Sequence, residues 1–247
     1  MSGHLEGNPE VNSQVGIILP TYCEAQNISR LISEIEKLPI NASILVIDDS
    51  SLDGTAQVVK ELQQTYPNIL LLIRPQKSGL GSAITDGFRL YLSLTHVPKY
   101  VVTMDADFSH NPTDMPLLVS SMASCDLAIG SRYIQGGEIK GWPLSRKLIS
   151  KTANAIARGV LGLKLKDCTS GYRCYSTHFL RQTIGFLHSQ TYDIQIETVK
   201  QAHNQGFKVQ EVPIVFANRK QGKSKLTFLE IENYVSYIFK TVLGPNR

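Results

Sequence analysis

Long hydrophobic runs are missing from this chain of 247 residues. No stretch approaches the ~20 consecutive apolar residues that cross a bilayer as a helix. The opening segment, Met1 to Gln14, is polar and has no apolar centre. It therefore does not read as a signal peptide, and a disordered leader is expected there. Cysteine is scarce. Cys23, Cys125, Cys168 and Cys174 are scattered, with neither zinc-site spacing nor a disulfide framework, so a reducing cytosol is the expected setting. No G-x-x-x-x-G-K-[ST] occurs, which removes a P-loop. Gly79-Leu80-Gly81 is no dinucleotide fingerprint, because it follows Arg74-Pro75-Gln76-Lys77-Ser78 rather than a strand, and Gly87 falls outside the spacing. That disfavours a dehydrogenase. No nucleic-acid motif and no basic stretch interleaved with aromatics is present, so nucleic acid is not an expected partner.

The chain has an apolar content of 42 %, which supports an ordinary soluble core. Its length fits one large α/β domain. The net charge of +4 is unevenly spread. Residues 1–131 carry 14 acids against 7 Lys and Arg, a balance of −7, and residues 132–247 carry a balance of +11. An acidic half suits a metal, and a basic half suits phosphates or an anionic membrane face.

Tyr100-Val101-Val102-Thr103-Met104 reads as a buried strand, and it ends in Asp105-Ala106-Asp107. Open α/β sheets bind ligands outside the carboxyl ends of their strands. Two acids at such an end are costly to bury unless paired or metal-bound. Oxygen ligands suit Mg²⁺ or Mn²⁺ holding a diphosphate. A helix cap with a solvated loop acid explains the pair equally well when it is taken alone.

The rest of the first half has the same rhythm. Val15 to Pro20 is a strand, and a helix with Ile28, Leu31, Ile32, Ile35 and Leu38 at helical spacing follows. Ile44 to Ile47 is a strand that ends in Asp48-Asp49, and Thr55 opens the next helix. Ile69 to Ile73 is a third strand, and a helix runs from Gly79 to about Leu94. This alternation predicts a parallel sheet with helices on both faces. The glycines at 79 and 81 are expected to serve close helix–sheet packing.

The second half is less regular. A helix follows Pro112, and Asp126 to Gly130 is a weaker strand. A Gly-rich loop at 136–143 holds the only tryptophan, Trp142. A helix over 145–163 places Leu148, Ile149, Ala153, Ile156, Val160 and Leu163 on one side and Lys147, Lys151 and Arg158 on another. Such a basic amphipathic helix suits a membrane surface, or simply a solvated face. Asp167 to Tyr175 reads as a polar aromatic loop, with helices near 178–183 and 193–204. Lys208 to Phe216 reads as an edge strand because it holds Pro213. A cationic loop, Arg219 to Lys225, and an apolar helix over 227–243 close the chain.

Taken in order, Leu19 to Glu24, Ile47 to Thr55, Gly79 to Ala83, Met104 to His110, Gly130 to Tyr133, Trp142 to Arg146, Asp167 to Arg173 and Arg219 to Leu226 form a joint pattern. In it the chain resembles the family 2 inverting glycosyltransferases, and among them most closely the dolichol-phosphate mannose synthases. The resemblance implies a single-domain GT-A fold, Rossmann-like, with a mixed, mostly parallel sheet over 15–247. Residues 15–131 would form the nucleotide- and metal-binding half, and 132–247 the acceptor- and membrane-facing half. It implies GDP-mannose as donor, a dolichyl or polyprenyl phosphate as acceptor, and Mg²⁺ or Mn²⁺ as cofactor. Pro20, Tyr22, Glu24, Ile47 and Asp49 would hold the guanosine. Asp105, Ala106 and Asp107 would hold the diphosphate, with Asp105 and Asp107 as metal ligands. Arg132, Arg219 and Lys225 would contact phosphates. Arg132, Arg146 and Ser150 would meet the acceptor phosphate, and Asp105, Asp107 and Arg132 would carry catalysis.

Two departures stand out. Cys23 occupies a position that is usually Asn in the family, and Ser109 one that in some members is a metal-binding Gln. The implied setting is the cytosolic face of a membrane, peripherally bound, with a small membrane-protein subunit as a possible partner. A polyprenyl-phosphate transferase using a UDP-sugar such as UDP-glucose is the runner-up. A nucleotidyltransferase would leave the 142–146 and 219–225 stretches unexplained. A non-catalytic nucleotide-sugar-binding subunit is the alternative from another class.

Overall fold

The computed structural model describes residues 3–218. In chain order its strands are β1 (His4–Glu6), β2 (Val15–Thr21), β3 (Ala42–Asp48), β4 (Ile69–Ile73), β5 (Tyr100–Thr103), β6 (Leu127–Ser131), β7 (Glu138–Lys140), β8 (Arg173–Ser176), β9 (Val209–Pro213) and β10 (Val215–Ala217). Its α-helices are α1 (Ala25–Glu36), α2 (Thr55–Gln63), α3 (Leu80–Ser93), α4 (Met115–Ser121), α5 (Leu144–Leu161), α6 (Thr177–Thr183) and α7 (Ile194–Asn204).

Eight strands form one sheet in the order β1-β4-β3-β2-β5-β8-β6-β9. β4, β3, β2 and β5 run parallel in register, with Ile17 opposite both Ile44 and Val102. Side chains alternate across a strand, and here the alternation divides the core into two layers. Ile17, Leu19, Ile44 and Val46 pack with α1, α2 and α4 on one face. Ile18, Leu45 and Ile47 pack with α3, α6 and α7 on the other. Full burial of each such side chain contributes roughly 1.5–3 kcal/mol. The expected mixed, mostly parallel sheet covered on both faces is what the chain forms. The edge expected for the late strand is also seen, since β9 ends the sheet with Pro213 at its last position.

Three expectations are corrected. Residues 1–14 are not a featureless leader, because His4, Leu5 and Glu6 pair antiparallel with Ile73, Leu72 and Leu71. Arg173 to Ser176 is not loop but a central strand, β8, antiparallel between β5 and β6. Gly79 and Gly81 do not serve helix–sheet packing. Their α-carbons lie against the backbone of 189–191, where a Cβ would stand 2.3 Å from the Gln190 carbonyl oxygen and 2.5 Å from that of Ser189. Only Gly87 meets the sheet, at Ile18 and Ile47. On α5, Leu148, Ile149 and Ile156 are exposed, while Leu163, just past the helix, packs against the core. Among the described residues of α5, Asn154 and Ala157 are buried. The cationic loop at 219–225 and the helix expected over 227–243 lie outside the described residues.

Tyr91 of α3 pins the sheet at the opposite end from the strand-end acids. Its hydroxyl accepts the Ile17 N–H at 3.1 Å and donates to the Ser43 carbonyl at 2.9 Å in full burial. Tyr91→Phe strips two backbone groups of this partner and should lower unfolding stability by about 1–3 kcal/mol. Urea denaturation measures this, and an unchanged midpoint would refute the anchoring role.

Candidate active site

Three turns at the carboxyl ends of β2, β3 and β5 build one cleft. Each carries a non-glycine residue in the left-handed region: Cys23 at φ 58°, Ser50 at φ 53° and Phe108 at φ 60°. Such backbone is held only where its surroundings demand it. Asn tolerates this conformation better than most residues, which gives a physical reason for Asn at the position Cys23 occupies. The cleft has a volume of about 110 Å³ and is lined by Pro20, Tyr22, Glu24, Asp49, Lys77, Asp105, Ala106, Asp107 and Tyr192 among others. Seven of the expected donor-site residues therefore meet in one place. Ile47 does not. It points to the α3 layer, fully buried, because it lies one residue out of phase with Val46 and Asp48.

The acids in the β3 turn are fixed by hydrogen bonds. Asp48 accepts from the Thr21 hydroxyl, the Ser51 hydroxyl and the Ser51 N–H. Asp49 accepts from Arg74 Nε at 2.6 Å and from the Ser78 N–H at 3.2 Å. Arg74 is itself buried and reaches Asp86, Ser82 and the Gly79 carbonyl. Lys77 lies over the Tyr22 ring at 4.4 Å, at the wall of the cleft.

Asp105 and Asp107 lie at the end of β5. Asp107 is buried and accepts the Ser109 N–H at 2.9 Å, while the Asp105 side chain is about a third exposed. His110 is 1 % exposed, and its Nδ1 accepts the Asp105 N–H at 3.2 Å. Burial lowers the imidazole pKa, against the pull of Asp105 and Asp107. The ring is thus neutral, and its 3.8 Å approach to Asp105 Oδ2 is no ion pair. Ser109 Oγ is buried without a hydrogen-bond partner among the described residues. Two carboxylates and this orphaned hydroxyl make an all-oxygen donor set, which fits Mg²⁺ or Mn²⁺ completed by ligand oxygens and water. Among the described residues, no group of three His, Cys, Asp or Glu gathers for a metal, so diphosphate oxygens would have to complete the shell.

A second, larger cavity of about 730 Å³ lies beyond β6, lined by Arg132, Tyr133, Lys147, Lys151, Arg158 and Lys166 among others. Arg132 is gripped by Asp167. Nε donates to Oδ2 at 2.7 Å, Nη2 donates to Oδ1 at 2.8 Å, and the backbone N–H donates to Oδ2 at 3.0 Å. Nη2 also donates to the Thr169 hydroxyl. Burial disfavours the Asp167 carboxylate, but the charge and hydrogen bonds of Arg132 outweigh it and hold the carboxyl below its usual range. The Arg132 guanidinium lies 5.5 Å from the Phe216 ring, and Phe216 meets His110 edge-on at 5.3 Å. A contiguous path therefore joins the cationic cavity to Asp105.

Two residues expected at the acceptor phosphate lie outside the lining of this cavity. Arg146 stacks over Trp142 at 4.1 Å, and Ser150 is hydrogen-bonded to the Tyr133 hydroxyl at 2.8 Å. Arg219 and Lys225 lie outside the described residues. Sequence reasoning missed Asp167 and Thr169 as partners of Arg132, and Lys166 as a cavity cation. No local spacing connects 132 with 167, so only the pairing of β6 with β8 reveals them.

The strand-end acids and the cationic cavity lie on an α/β protein with a mixed, mostly parallel sheet. The family model described as glycosyl transferase family 2 matches residues 16–184. The polyprenol monophosphomannose synthase of Mycolicibacterium smegmatis is 39 % identical over 214 residues, covering 85 % of this chain and 80 % of that protein. The undecaprenyl-phosphate mannosyltransferase of Micrococcus luteus is 36 % identical over 211 residues, covering 85 % and 86 %. Among solved structures, a mannosyltransferase from Pyrobaculum calidifontis in complex with GDP-Man and Mn²⁺ has a TM-score of 0.64 at 15 % identity, covering all of this chain and 69 % of that one. Glucosyl-3-phosphoglycerate synthase from Mycobacterium tuberculosis has a TM-score of 0.68 at 18 % identity, covering 96 % and 83 %. These two share the fold, which is GT-A. The chain belongs to glycosyl transferase family 2.

Removing the Asp167 side chain leaves Arg132 buried and unpaired. Asp167→Ala should lower stability by about 3–5 kcal/mol near neutral pH. Because the native carboxyl titrates below its unfolded value, this contribution is complete above about pH 5 and fades as pH falls through the depressed native value. Denaturation of both proteins from pH 2 to pH 8 tests this. A difference unchanged at the lowest pH would refute an ionic origin.

Proposed function

We propose that this protein transfers mannose from GDP-mannose to a polyprenyl phosphate, dolichyl phosphate in the expected case, with inversion at the anomeric carbon. The observation that carries this is the pairing of two cavities around one path, Asp105–His110–Phe216–Arg132. One cavity is acidic and suits a nucleotide diphosphate; the other is cationic and suits a second phosphate. The relatives named above are a polyprenol monophosphomannose synthase and an undecaprenyl-phosphate mannosyltransferase, and the Pyrobaculum structure holds GDP-Man and Mn²⁺.

The guanosine would lie along Pro20, Tyr22, Glu24 and Asp49, with the diphosphate at Asp105, Ala106 and Asp107. A divalent ion held by Asp105 and Asp107 would neutralise charge on the departing diphosphate. Arg132 is oriented by Asp167 and Thr169, and its Nη1 makes no hydrogen bond within the described residues. That nitrogen is the group for the acceptor phosphate, with Lys147, Lys151, Arg158 and Lys166 adding positive potential. The acceptor phosphate is ionised at neutral pH, so its oxygen attacks without a general base. The new C1–O bond forms as the bond to the diphosphate breaks, and the electron pair leaves on GDP. Positioning and charge then supply the catalysis.

Among the described residues, no helix is long and apolar enough to cross a membrane. The exposed Leu144, Leu148, Ile149 and Ile156 of α5 supply an apolar face beside the cationic cavity. We assign that face to peripheral contact with the cytosolic side of the membrane, alone or with a small membrane-protein subunit. Arg146 and Ser150 lie on the same helix, and Arg219 and Lys225 would approach the phosphates from the last segment.

Transfer of labelled sugar from GDP-mannose or UDP-glucose to a short polyprenyl phosphate in detergent tests the reading. Transfer from GDP-mannose, abolished by chelator, is expected. Asp107→Ala should lower it by at least about 100-fold with an unchanged melting temperature. Transfer from UDP-glucose alone would overturn the donor, and metal-independent transfer would overturn the roles of Asp105 and Asp107.

A further inference from the structure

Gln195, in the first turn of α7, is 3 % exposed, and among the described residues neither Oε1 nor Nε2 of its carboxamide has a hydrogen-bond partner. A buried primary amide with nothing to bond is expensive, and native proteins contain few of them. The backbone of Gln195 is not loose, because its carbonyl accepts from Arg173 Nη1 at 2.7 Å. The amide end is equally well placed. Were Gly171 to carry a Cβ, that atom would stand 3.4 Å from Gln195 Nε2, 3.7 Å from Asp105 Oδ1 and 3.8 Å from His110 Cε1. A Cβ there would make ordinary contacts, so the absent side chain at 171 leaves a gap about one methyl group wide beside both the Gln195 carboxamide and the Asp105 carboxylate. Next to Gly171 in the chain, the hydroxyl of Ser170 is also buried without a partner among the described residues. An orphaned carboxamide beside that gap, with a second orphaned hydroxyl on the neighbouring residue of the turn, points to a ligand that supplies what the protein withholds.

We propose that Gln195 binds a hydroxyl of the hexose being transferred and sets which hexose is accepted. The chemistry of the amide selects this ligand. A phosphate would satisfy Nε2 but face Oε1 with negative charge, and a cation would do the reverse. A sugar hydroxyl both donates and accepts, so one group satisfies both ends of the carboxamide. The location agrees. If the chain transfers a sugar between two phosphates as proposed above, the hexose must lie between the Asp105 end of the donor cleft and Arg132. The space beside Gly171 adjoins that interval. A polar site that loses its hydrogen-bonding sugar hydroxyl discriminates strongly, whereas an apolar pocket does not.

The test uses full-length protein in detergent with a short polyprenyl phosphate. It compares GDP-mannose with GDP-glucose, which differs at one hydroxyl, and measures the affinity of GDP alone. Gln195→Leu should lower kcat/KM for GDP-mannose about 10- to 100-fold. It should narrow the preference for GDP-mannose over GDP-glucose, leave GDP affinity within about twofold, and hold or raise the melting temperature, because an orphaned amide is replaced by an apolar side chain. Gly171→Ala leaves ordinary contact distances and the fold intact, and should also depress transfer by occupying the space. Unchanged kcat/KM in Gln195→Leu, an equal loss for both donors, or a loss of GDP affinity in step with turnover would overturn the proposal. A lowered melting temperature with unchanged donor preference would make Gln195 a structural residue and overturn it too. A wild-type protein inactive with both donors would instead strike the transferase reading itself.

Discussion

Arg173 is the constraint that the second half of the molecule depends on. It is fully buried at the start of β8, and its guanidinium donates to the carbonyls of Cys168, Ser170 and Gln195 and to the Thr198 hydroxyl. These partners are neutral, so the charge is compensated by oriented dipoles rather than by a counter-ion. A planar fork with five donors suits this work, and an ammonium would not span it. The result is one rigid unit of the 167–171 turn, β8 and the first turn of α7. Asp167, which aims Arg132, and Gln195, beside Asp105, are both carried by that unit. Disturbing Arg173 would therefore move the cationic cavity and the space at Gly171 together.

The first half obeys a different rule. There the parallel strands end side by side, and three left-handed turns at Cys23, Ser50 and Phe108 redirect the chain sharply around the cleft. Asp48 is spent on closing the β3 turn, while Asp49 lines the cleft with Arg74 and Ser78 on its oxygens. The charge imbalance along the chain acquires a spatial meaning through this arrangement. The acidic half gathers its carboxylates at the β3 and β5 ends, and the basic half sets Lys147, Lys151, Arg158 and Lys166 around one cavity.

The parallel half of the fold was legible because apolar runs of four to seven residues, each followed by a polar turn and a helical period, carry their own signal. The strand-end acids were legible for the same reason. β8 was not, since Arg173-Cys174-Tyr175-Ser176 has no apolar run, and its antiparallel place between β5 and β6 is set by long-range pairing. Its buried arginine reads locally as a surface residue. Ile47 was misplaced because a strand residue adjoining a site is not thereby on the site's face. The stripe on α5 has a true helical period, but a period says only that a helix has an apolar side, not that the protein's own core covers it. Gln195 carried no signal at all: a glutamine in a helical run is ordinary until both ends of its amide are found buried and unbonded.

The internal acids bear on the direction of proton traffic. Asp48 and Asp49 are held within the β3 turn, and Asp167 is committed to Arg132. Glu197 accepts the backbone N–H groups of His188 and Ser189, and Glu211 accepts those of Lys166 and Asp167 together with the Ser131 hydroxyl. Each of these carboxylates is occupied by donors it must keep for its segment to stay in place. His110 is neutral but spends Nδ1 on the Asp105 N–H. These groups are committed within the fold, which agrees with the proposed acceptor, a phosphate that arrives already ionised. A phosphate monoester also finds the cations of the second cavity, which an alcohol would not need. The positive cavity and these committed acids therefore support the proposed phosphate acceptor from two independent sides.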